Sequence, residues 1–424
     1  MKTINIALVI LLLSQPVFTQ GDKSGTVRPV DFSQYMKDVA QGNLGWIAEQ
    51  FSVDIAEASL KAAKVYTNPE IAIAYSDNQD KTMQMGKGYD AGLSYSVNLG
   101  NIRAARISLA QSERDLAALV MQSYFQNLRA DAALVYFSGL KDQLIVDVQQ
   151  NNYQRMLELA QADSIRFRTG VIMEADSRQS AIEARIQKNE VIKARSSWQM
   201  ALVEMARLRG SDGSDTSYQP AGSLEYPMRE FTLSWLIDQA KQNRFDLQSA
   251  IQAHTISEKM VKLVKASRAV ELGIETGLSY STIATNEIAP SPAHYGISAG
   301  VTIPLKLSSF NKGELEASRL AVKQQEVACK DAEKIIIAEV TQAYILYQSL
   351  KQQLEEFHSG LLAEAETILD HKVYSYKRGE TSLLDVLNAQ RTYNEIRMSF
   401  YETHYNYIAS LIELERAAGI WDIE

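Results

Sequence analysis

The chain is poor in the residues that break helices and in those that crosslink chains. Its 424 residues include only 8 prolines and a single cysteine, Cys329. A single cysteine cannot form an intrachain disulfide, and its distance from the N-terminus excludes lipid attachment to a new N-terminal cysteine. The scarcity of proline permits very long helices, which the abundant Ala, Gln and Glu residues favour.

Long apolar runs are also missing. After residue 22 no stretch of about 18 or more apolar residues occurs, so the sequence predicts no transmembrane helix. The short apolar run from Ile4 to Leu13 follows Met1-Lys2 and precedes small or polar residues. This is the pattern of a secretory signal peptide, which we predict over residues 1–20 in preference to a core helix.

The sequence patterns of common catalytic and metal sites are absent. The 5 histidines are scattered without metal-ligand spacing, and no phosphate-binding glycine loop occurs. We therefore expect no enzyme and no cofactor. The net charge of −8 becomes more negative when Lys2 leaves with the signal peptide, which argues against a nucleic-acid partner. Met83 and Met85 lie in a predicted loop and allow either a soft-metal contact or an ordinary loop.

What the chain does have is an internal repeat. Gly379 follows Gly170 by 209 residues, and Asp385 follows Asp176 by the same offset. A register that holds over about 40 residues indicates one structural unit present twice. We predict a first repeat over 21–210, an equatorial linker over 211–230 and a second repeat over 231–424.

Each repeat is predicted to contain helix, β-hairpin, very long helix, tight turn and return helix. Alternation with period two indicates the strands, and apolar spacings of three and four indicate the helices. The first repeat is predicted as a helix over about 32–65, a hairpin over 70–99, a long helix over 101–163, a tip over 166–171 and a return helix over 173–209. The second is predicted as helices over 231–267, a hairpin over 270–304, a long helix over 312–373, a tip over 376–381 and a return helix over 382–418.

These lengths restrict the architecture. A helix of about 65 residues is about 100 Å long, which no globular domain accommodates. Strands of about 10 residues have the length that crosses a bilayer at a tilt, and an open sheet edge is not tolerated in lipid. We therefore predict an α+β membrane protein in which a homotrimer combines a coiled-coil helical tunnel with a twelve-strand transmembrane β-barrel in outer-membrane lipid. The alternatives are a soluble β-sandwich for the strands and a solvated rod for the helices.

With this layout, the sequence resembles the TolC family of outer-membrane efflux channels over most of its length, from about Phe32 to Gly419. The segments Asn68-Pro69-Glu70 and Gly300-Val301-Thr302-Ile303-Pro304-Leu305 look like those of its heavy-metal branch. The most specific match is the second tip, Tyr376-Lys377-Arg378-Gly379-Glu380-Thr381-Ser382-Leu383-Leu384-Asp385-Val386-Leu387-Asn388-Ala389-Gln390.

The resemblance implies a passive trimeric exit duct in the outer membrane of a Gram-negative bacterium, with its helical part in the periplasm. A periplasmic adaptor protein would dock on the tips, and an inner-membrane pump of the RND type would drive export of small molecules or metal cations. Two other functions fit the same architecture. One is an exit duct for type I protein secretion, and the other is a structural helical spike on the cell surface.

The resemblance also implies a pore gate at the tips. Asp385 falls on the acidic position that lines the constriction, and Asn388 falls where the family often has a second acid. Tyr376 and Asp176 fall on positions that hold neighbouring helices together in the closed state. The family's basic partner near Thr381 is missing. Since Asp385 lies three residues after a serine, a role as an N-terminal capping acid is equally consistent with the sequence.

The two tips are the predicted adaptor-docking surface. Their glycines are predicted to end helices in the left-handed conformation. Their basic side chains would either bind the adaptor or remain solvated at a helix end, where they also favour the helix dipole. The predicted docking residues are Arg166, Arg168, Thr169, Gly170, Val171, Lys377, Arg378, Gly379 and Glu380.

Overall fold

The structure is a computed structural model that describes residues 28–80, 83–212, 215–304 and 312–423. The signal peptide predicted over 1–20 lies outside the described residues. The chain is mostly helical, with one two-stranded and one four-stranded sheet among the described residues. Within the same part of the chain, no helix combines the length and the apolar character needed to cross a membrane.

The same order of elements occurs in both halves of the chain: a short strand, two helices, two strands, a very long helical stretch and a return helix. The first half contains β1 (Arg28–Val30), α1 (Phe32–Gly42), α2 (Leu44–Ala63), β2 (Glu70–Asp77), β3 (Lys87–Asn98), α3 (Ile102–Arg168) and α4 (Glu174–Leu208). The second half contains β4 (Tyr218–Pro220), α5 (Leu233–Asn243), α6 (Phe245–Ser267), β5 (Glu271–Ser281), β6 (His294–Thr302), α7 (Lys312–Glu356), α8 (Leu362–Lys377) and α9 (Leu383–Ala418).

The first helical stretch is divided at Asn43, where the sequence pattern predicts continuous helix. The Asn43 side chain caps α2 by accepting a hydrogen bond from the backbone N–H of Trp46 at 2.9 Å. Its Nδ2 donates to the carbonyl oxygen of Leu208 at 2.8 Å. Because of this break, one buried side-chain amide hydrogen-bonds both a free backbone N–H at the start of α2 and a free carbonyl oxygen at the end of α4.

The second long helix is also interrupted, so the prediction of continuous helix over 312–373 is wrong. α7 ends at Glu356, the chain is kinked within Phe357–Leu361, and α8 follows. Gly360 in this segment has φ 104°, which is outside the helical region. By contrast, α3 is continuous over 67 residues, or about 100 Å.

The four-stranded sheet is made by both halves of the chain. Its strand order is β2-β3-β5-β6, with all neighbours antiparallel. The central pair joins the hairpins and runs from Gly88 opposite Ser281 to Asn98 opposite Glu271. Among the described strands, β2 and β6 each have one unpaired edge.

The main hydrophobic core lies where α1, α3, α5, α7 and α9 meet, at the middle of the helical part. There the linker over 211–230 is tied to the C-terminal end of α9 and the residues that follow it. The Arg229 Nη1 atom lies 3.0 Å from Glu415 Oε1 and 3.2 Å from Asp422 Oδ2. Glu415 is fully buried, and burial raises the pKa of its carboxyl group. Two smaller apolar clusters lie toward the far end of the helices.

Candidate functional site

The two helix-hairpin tips have the same backbone geometry. At the first tip, the N–H groups of Gly170 and Val171 donate to the carbonyl oxygens of Phe167 at 2.9 Å and Arg166 at 2.8 Å. At the second tip, Gly379 and Glu380 donate to Tyr376 at 3.0 Å and Ser375 at 2.9 Å. Both are Schellman motifs, which satisfy the last carbonyl groups of α3 and α8.

Both tip glycines are required by their backbone conformation. Gly170 has φ 75° and Gly379 has φ 79°, a region that other residues rarely adopt. A Cβ added at either position would meet no atom within 4 Å. A substitution would therefore strain the turn without clashing with a neighbour in the same chain.

The predicted docking residues differ in how accessible they are. Thr169 is exposed, and its hydroxyl donates to the Ile165 and Arg166 carbonyl groups at 3.2 and 3.0 Å. Arg378 lies over the Tyr374 ring, and its Nε is 3.0 Å from Glu380 Oε1. Arg168, Val171 and Lys377 are also exposed.

Arg166 does not belong to this exposed set. Its guanidinium lies 4.8 Å from the centre of the Tyr376 ring and 3.9 Å from Asp163 Oδ1. Its Nη1 also donates to the Tyr376 carbonyl oxygen at 3.5 Å. Arg166 therefore faces the other helical hairpin of the same chain, and the exposed basic side chains at the tips are Arg168, Lys377 and Arg378.

A buried hydrogen bond links the two hairpins. The Tyr376 hydroxyl donates to Asp163 Oδ1 at 2.9 Å. Asp163 is fully buried, and its Oδ2 has no hydrogen-bond partner. Burial raises the pKa of Asp163, against the lowering effects of Tyr376, Ser180 and Arg166. Burial and the adjacent carboxylate raise the pKa of Tyr376, so its hydroxyl keeps its proton and donates.

The partner of Tyr376 on the first hairpin is thus Asp163, a residue that the sequence analysis did not single out. Asp176 lies in the first turn of α4, close enough for its charge to raise the pKa of Asp163 further. The sequence did contain a signal for Asp163. Asn152, Met156 and Asp163 follow one buried stripe of α3 at helical spacing, and an acid in such a stripe needs a partner.

Asp385 makes the capping interactions that its position after Ser382 suggests. Its backbone N–H donates to the Ser382 Oγ at 3.2 Å, and its Oδ2 accepts from the Ser382 N–H at 3.3 Å. Oδ2 also accepts from the hydroxyl groups of Ser382 at 2.6 Å and Thr381 at 2.8 Å. These hydrogen bonds lower the pKa of Asp385 and keep it ionised. Asn388 is exposed one turn further along α9.

A cavity of about 500 Å³ lies beside the Tyr376–Asp163 bond, between α3, α8 and α9. Its apolar part includes Leu159, Leu369 and Val386, and Arg155 and Lys377 bring positive charge to it. Packing is therefore incomplete where the two hairpins meet, although Met156 and Ala184 of the first hairpin pack on the apolar cluster around Tyr376.

The described residues contain no cluster of three or more His, Cys, Asp or Glu side chains able to hold a metal ion. The single cysteine, Cys329, is half-buried and donates to the Ala250 carbonyl oxygen at 3.1 Å. Met83 and Met85 are exposed in the loop between β2 and β3.

Comparison with known proteins indicates which kind of protein has these helical tips. Residues 236–420 match the family described as "Outer membrane efflux protein". The chain carries an outer membrane efflux protein domain. The resemblance to TolC-type efflux channels is thereby confirmed. The chain lies in the outer membrane of a Gram-negative bacterium, with its helical part in the periplasm. It is not an enzyme, because the members of this family are channels.

Individual relatives cover nearly the whole chain. The "Cobalt-zinc-cadmium resistance protein CzcC" of Cupriavidus metallidurans is 25% identical over 381 residues, which cover 88% of this chain and 86% of that protein. The Campylobacter jejuni CmeC outer membrane channel has a TM-score of 0.75 and 14% identity, covering 91% of this chain and 85% of that chain. A membrane protein from Pseudomonas aeruginosa has a TM-score of 0.77 and 14% identity, covering 94% of each chain. The solved structures establish the fold over the 91% to 94% of the chain that they cover.

Proposed function

We propose that three copies of the chain form a passive exit duct of a tripartite efflux system. The sheet would supply one third of a twelve-strand barrel, and the helices would supply one third of a periplasmic tunnel. A periplasmic adaptor would dock on the tips, and an inner-membrane RND-type pump would supply the energy. The observation that carries this proposal is that the sheet has one apolar, solvent-accessible face and two edges that are unpaired among the described strands.

The apolar face is continuous across all four strands. Tyr75, Tyr89, Tyr280 and Tyr295 lie opposite one another in register, with ring centres 4.8 to 6.3 Å apart. Between this row of tyrosines and the helices, every second residue of each strand lies on the same face, and none of these residues is charged. Ile297, for example, is 83% exposed. Such a surface is unfavourable in water and suits lipid, with tyrosines at the membrane interface.

The opposite face of the sheet is small and polar. In β6 it carries Gly296, Ser298, Gly300 and Thr302, and the other strands carry mainly Gly, Ala, Ser and acidic residues there. A polar face opposite a lipid-facing one is typical of the interior of a transmembrane barrel. In lipid the free edges of β2 and β6 require partners, which neighbouring copies would provide.

The helical part has matching free edges. Near the sheet, α2 packs on α3, α3 on α6 and α6 on α7, so α2 and α7 are the outer helices of a four-helix layer. Both expose apolar residues on their outer sides. These include Leu44, Phe51 and Ile55 of α2, and Leu320, Val327 and Ile345 of α7. Pairing of α7 with α2 of the next copy would bury both stripes and close a ring of twelve helices.

We further infer that the two halves arose as tandem copies. The constant 209-residue offset and the two identical Schellman turns support this. In this proposal the gate consists of Tyr376, its partner Asp163, and Asp385 with Asn388 and Asp176. The docking surface consists of the exposed tip residues, with Arg166 placed behind them. Metal cations are the proposed substrate, because the relative CzcC is named for cobalt, zinc and cadmium resistance.

The proposal is tested on the purified full-length protein in detergent and in planar bilayers. We expect a trimer by native mass spectrometry and discrete conductance steps. A detergent-free monomer would contradict the duct, and a trimer that conducts no ions would favour the surface spike. Gly379→Leu is expected to keep the trimer and lose pull-down of the cognate adaptor, while Gly313→Leu, at an open helical position, should retain both. Normal adaptor binding by both variants would contradict docking at the tips.

A further inference from the structure

A second cavity lies at the middle of the helical part, far from the tips. It has a volume of about 640 Å³ and is bounded by α1, the middle of α3 and the residues that follow α9. A volume of this order accommodates a small organic molecule. The wall is mainly apolar and adjoins the main hydrophobic core. Its apolar side chains include Phe32, Met36, Phe125, Leu128, Trp421 and Ile423.

The charge at this cavity is of one sign. Arg129 and the exposed Lys37 line it, and none of its described lining residues is acidic. The Arg129 guanidinium lies 4.2 Å from the centre of the Trp421 ring, and its buried Nε has no hydrogen-bond partner among the described residues. Burial lowers the pKa of Arg129 to about 10, so the group remains a cation at neutral pH. An apolar wall thus contains a positive charge with a free N–H donor.

The acid whose charge acts on Arg129 is Glu415, and both of its oxygens have other partners. Glu415 Oε1 lies 3.0 Å from Arg229 Nη1, and Oε2 accepts from the backbone N–H of Asp422 at 2.8 Å. The Trp421 ring favours the cation but offers no acceptor for Nε. The Nε–H group of Arg129 is therefore available to a ligand.

The fold does not require an arginine at this position. Tyr136 of α3 and Tyr347 of α7 are equivalent in the two halves, because each hydroxyl donates to a linker carbonyl oxygen, at 2.6 and 2.8 Å, and each ring packs edge-on against a phenylalanine. Seven residues before these tyrosines stand Arg129 and Val340. Val340 is fully buried in the main core. One half thus has a core valine where the other has a cation beside a cavity.

We propose that this cavity binds an amphipathic monoanion, a carboxylate on a single hydrocarbon chain. The carboxylate would accept from the Arg129 Nε–H, and the chain would lie against Met36, Phe125 and Leu128. One half-buried guanidinium balances one negative charge, which suits a carboxylate better than a doubly charged phosphate. The site is complete within one chain, so it does not depend on the proposed exit duct.

Native mass spectrometry of the full-length protein in a non-ionic detergent tests the site, with dodecanoate as the probe. We expect one bound dodecanoate per chain. Methyl dodecanoate has the same hydrocarbon chain without the charge, and it should bind at least about tenfold more weakly, because it loses a hydrogen bond between two charged groups. The comparison separates recognition of the anion from partition into apolar surface.

Two variants and a control assign the binding to this cavity. Arg129→Gln should weaken dodecanoate binding at least about tenfold and leave methyl dodecanoate unchanged, which also shows that the cavity is intact. Ala40→Leu adds bulk to the lining and should weaken both probes. The control is Arg114→Gln on the same helix, outside the cavity, where the guanidinium lies 3.2 Å from Asp115. It should change neither affinity.

Three results would overturn the proposal. Equal affinities for the acid and its ester would indicate partition only, and an unchanged affinity in Arg129→Gln would place the anion elsewhere. Absence of bound dodecanoate would show that another part of the chain or a neighbouring copy fills the cavity. A monomer that still binds one dodecanoate per chain would contradict the exit duct and support the site, whereas a conducting trimer without bound dodecanoate would contradict the site alone.

Discussion

Removing the Tyr376 hydroxyl should shift the tip from its closed toward its open state. In Tyr376→Phe the ring remains, so the packing in its apolar cluster and the contact with the Arg166 guanidinium 4.8 Å away are preserved. What is lost is the 2.9 Å hydrogen bond to Asp163 Oδ1. Because Oδ2 has no hydrogen bond, the fully buried carboxylate would keep only the weaker effects of Arg166, at 3.9 Å, and of Ser180.

The magnitude follows from the kind of bond that is lost. A hydrogen bond to a charged group contributes about 1.5–3 kcal/mol, and loss of one partner in a buried site leaves the other unsatisfied. A shift of about 2 kcal/mol in the closed state corresponds to about a thirtyfold change in the ratio of open to closed tips in each copy. The change in the free energy of unfolding of the whole chain should be smaller, because the bond lies far from the main core.

Single-channel recording in planar bilayers measures this ratio as open probability. The control is Tyr374→Phe, two residues earlier on the same helix. The Tyr374 ring is exposed, and its hydroxyl accepts from the exposed Arg378 at 3.0 Å. We expect increased opening for Tyr376→Phe and wild-type behaviour for Tyr374→Phe. Asp163→Asn combined with Tyr376→Phe should add little to the single change. Equal open probabilities for the two Phe variants would refute the role of this bond.

Three other predictions concern the tip and the sheet. The pKa of Asp163 is raised by burial in the closed tip, so the closed tip binds the Asp163 proton more tightly than an open, solvated tip does. Lowering the pH toward the ordinary pKa range of Asp should therefore reduce the open probability, and Asp163→Asn should lack this pH dependence. Ile297→Arg should reduce barrel stability in a urea titration in lipid by about 2–4 kcal/mol, whereas Ser298→Arg on the opposite face should cost much less; equal losses would contradict the assignment of the faces. Asp385→Ala should lower the thermal midpoint more than Asp176→Ala, because Asp385 caps its helix; this difference should shrink as the pH falls through the lowered pKa of Asp385.

The periodicity of apolar residues indicated where strands and long helices lie, but not how they pair. The strands Glu70–Asp77 and Lys87–Asn98 lie inside the hairpin predicted over 70–99. The pairing of β3 with β5 was beyond prediction, because alternation identifies the two faces of a strand and not its neighbour. The breaks at Asn43 and Gly360 were missed for a related reason. Both depend on local backbone geometry or contacts that are distant in sequence.

The candidate site was only partly predictable. The turn at Gly170 and Gly379 and the capping interaction of Asp385 are local, so the spacing of a few residues sufficed to predict them. The partner of Tyr376 lies 213 residues away, and a resemblance in sequence did not identify it as Asp163. Likewise, the position of Arg166 at the end of a helix does not indicate that its side chain faces the neighbouring hairpin.

The antiparallel pairing of β3 with β5 has a consequence for biogenesis. Strand β3 is exported early, whereas β5 begins at Glu271. Nearly two-thirds of the polypeptide must therefore be exported before β3 and β5 can pair. Until then, the first hairpin has an apolar surface and a free edge in an aqueous compartment, which is a hazard for aggregation. Nascent chains should therefore depend on periplasmic chaperones up to a late stage, and truncations before Glu271 should be degraded rather than inserted.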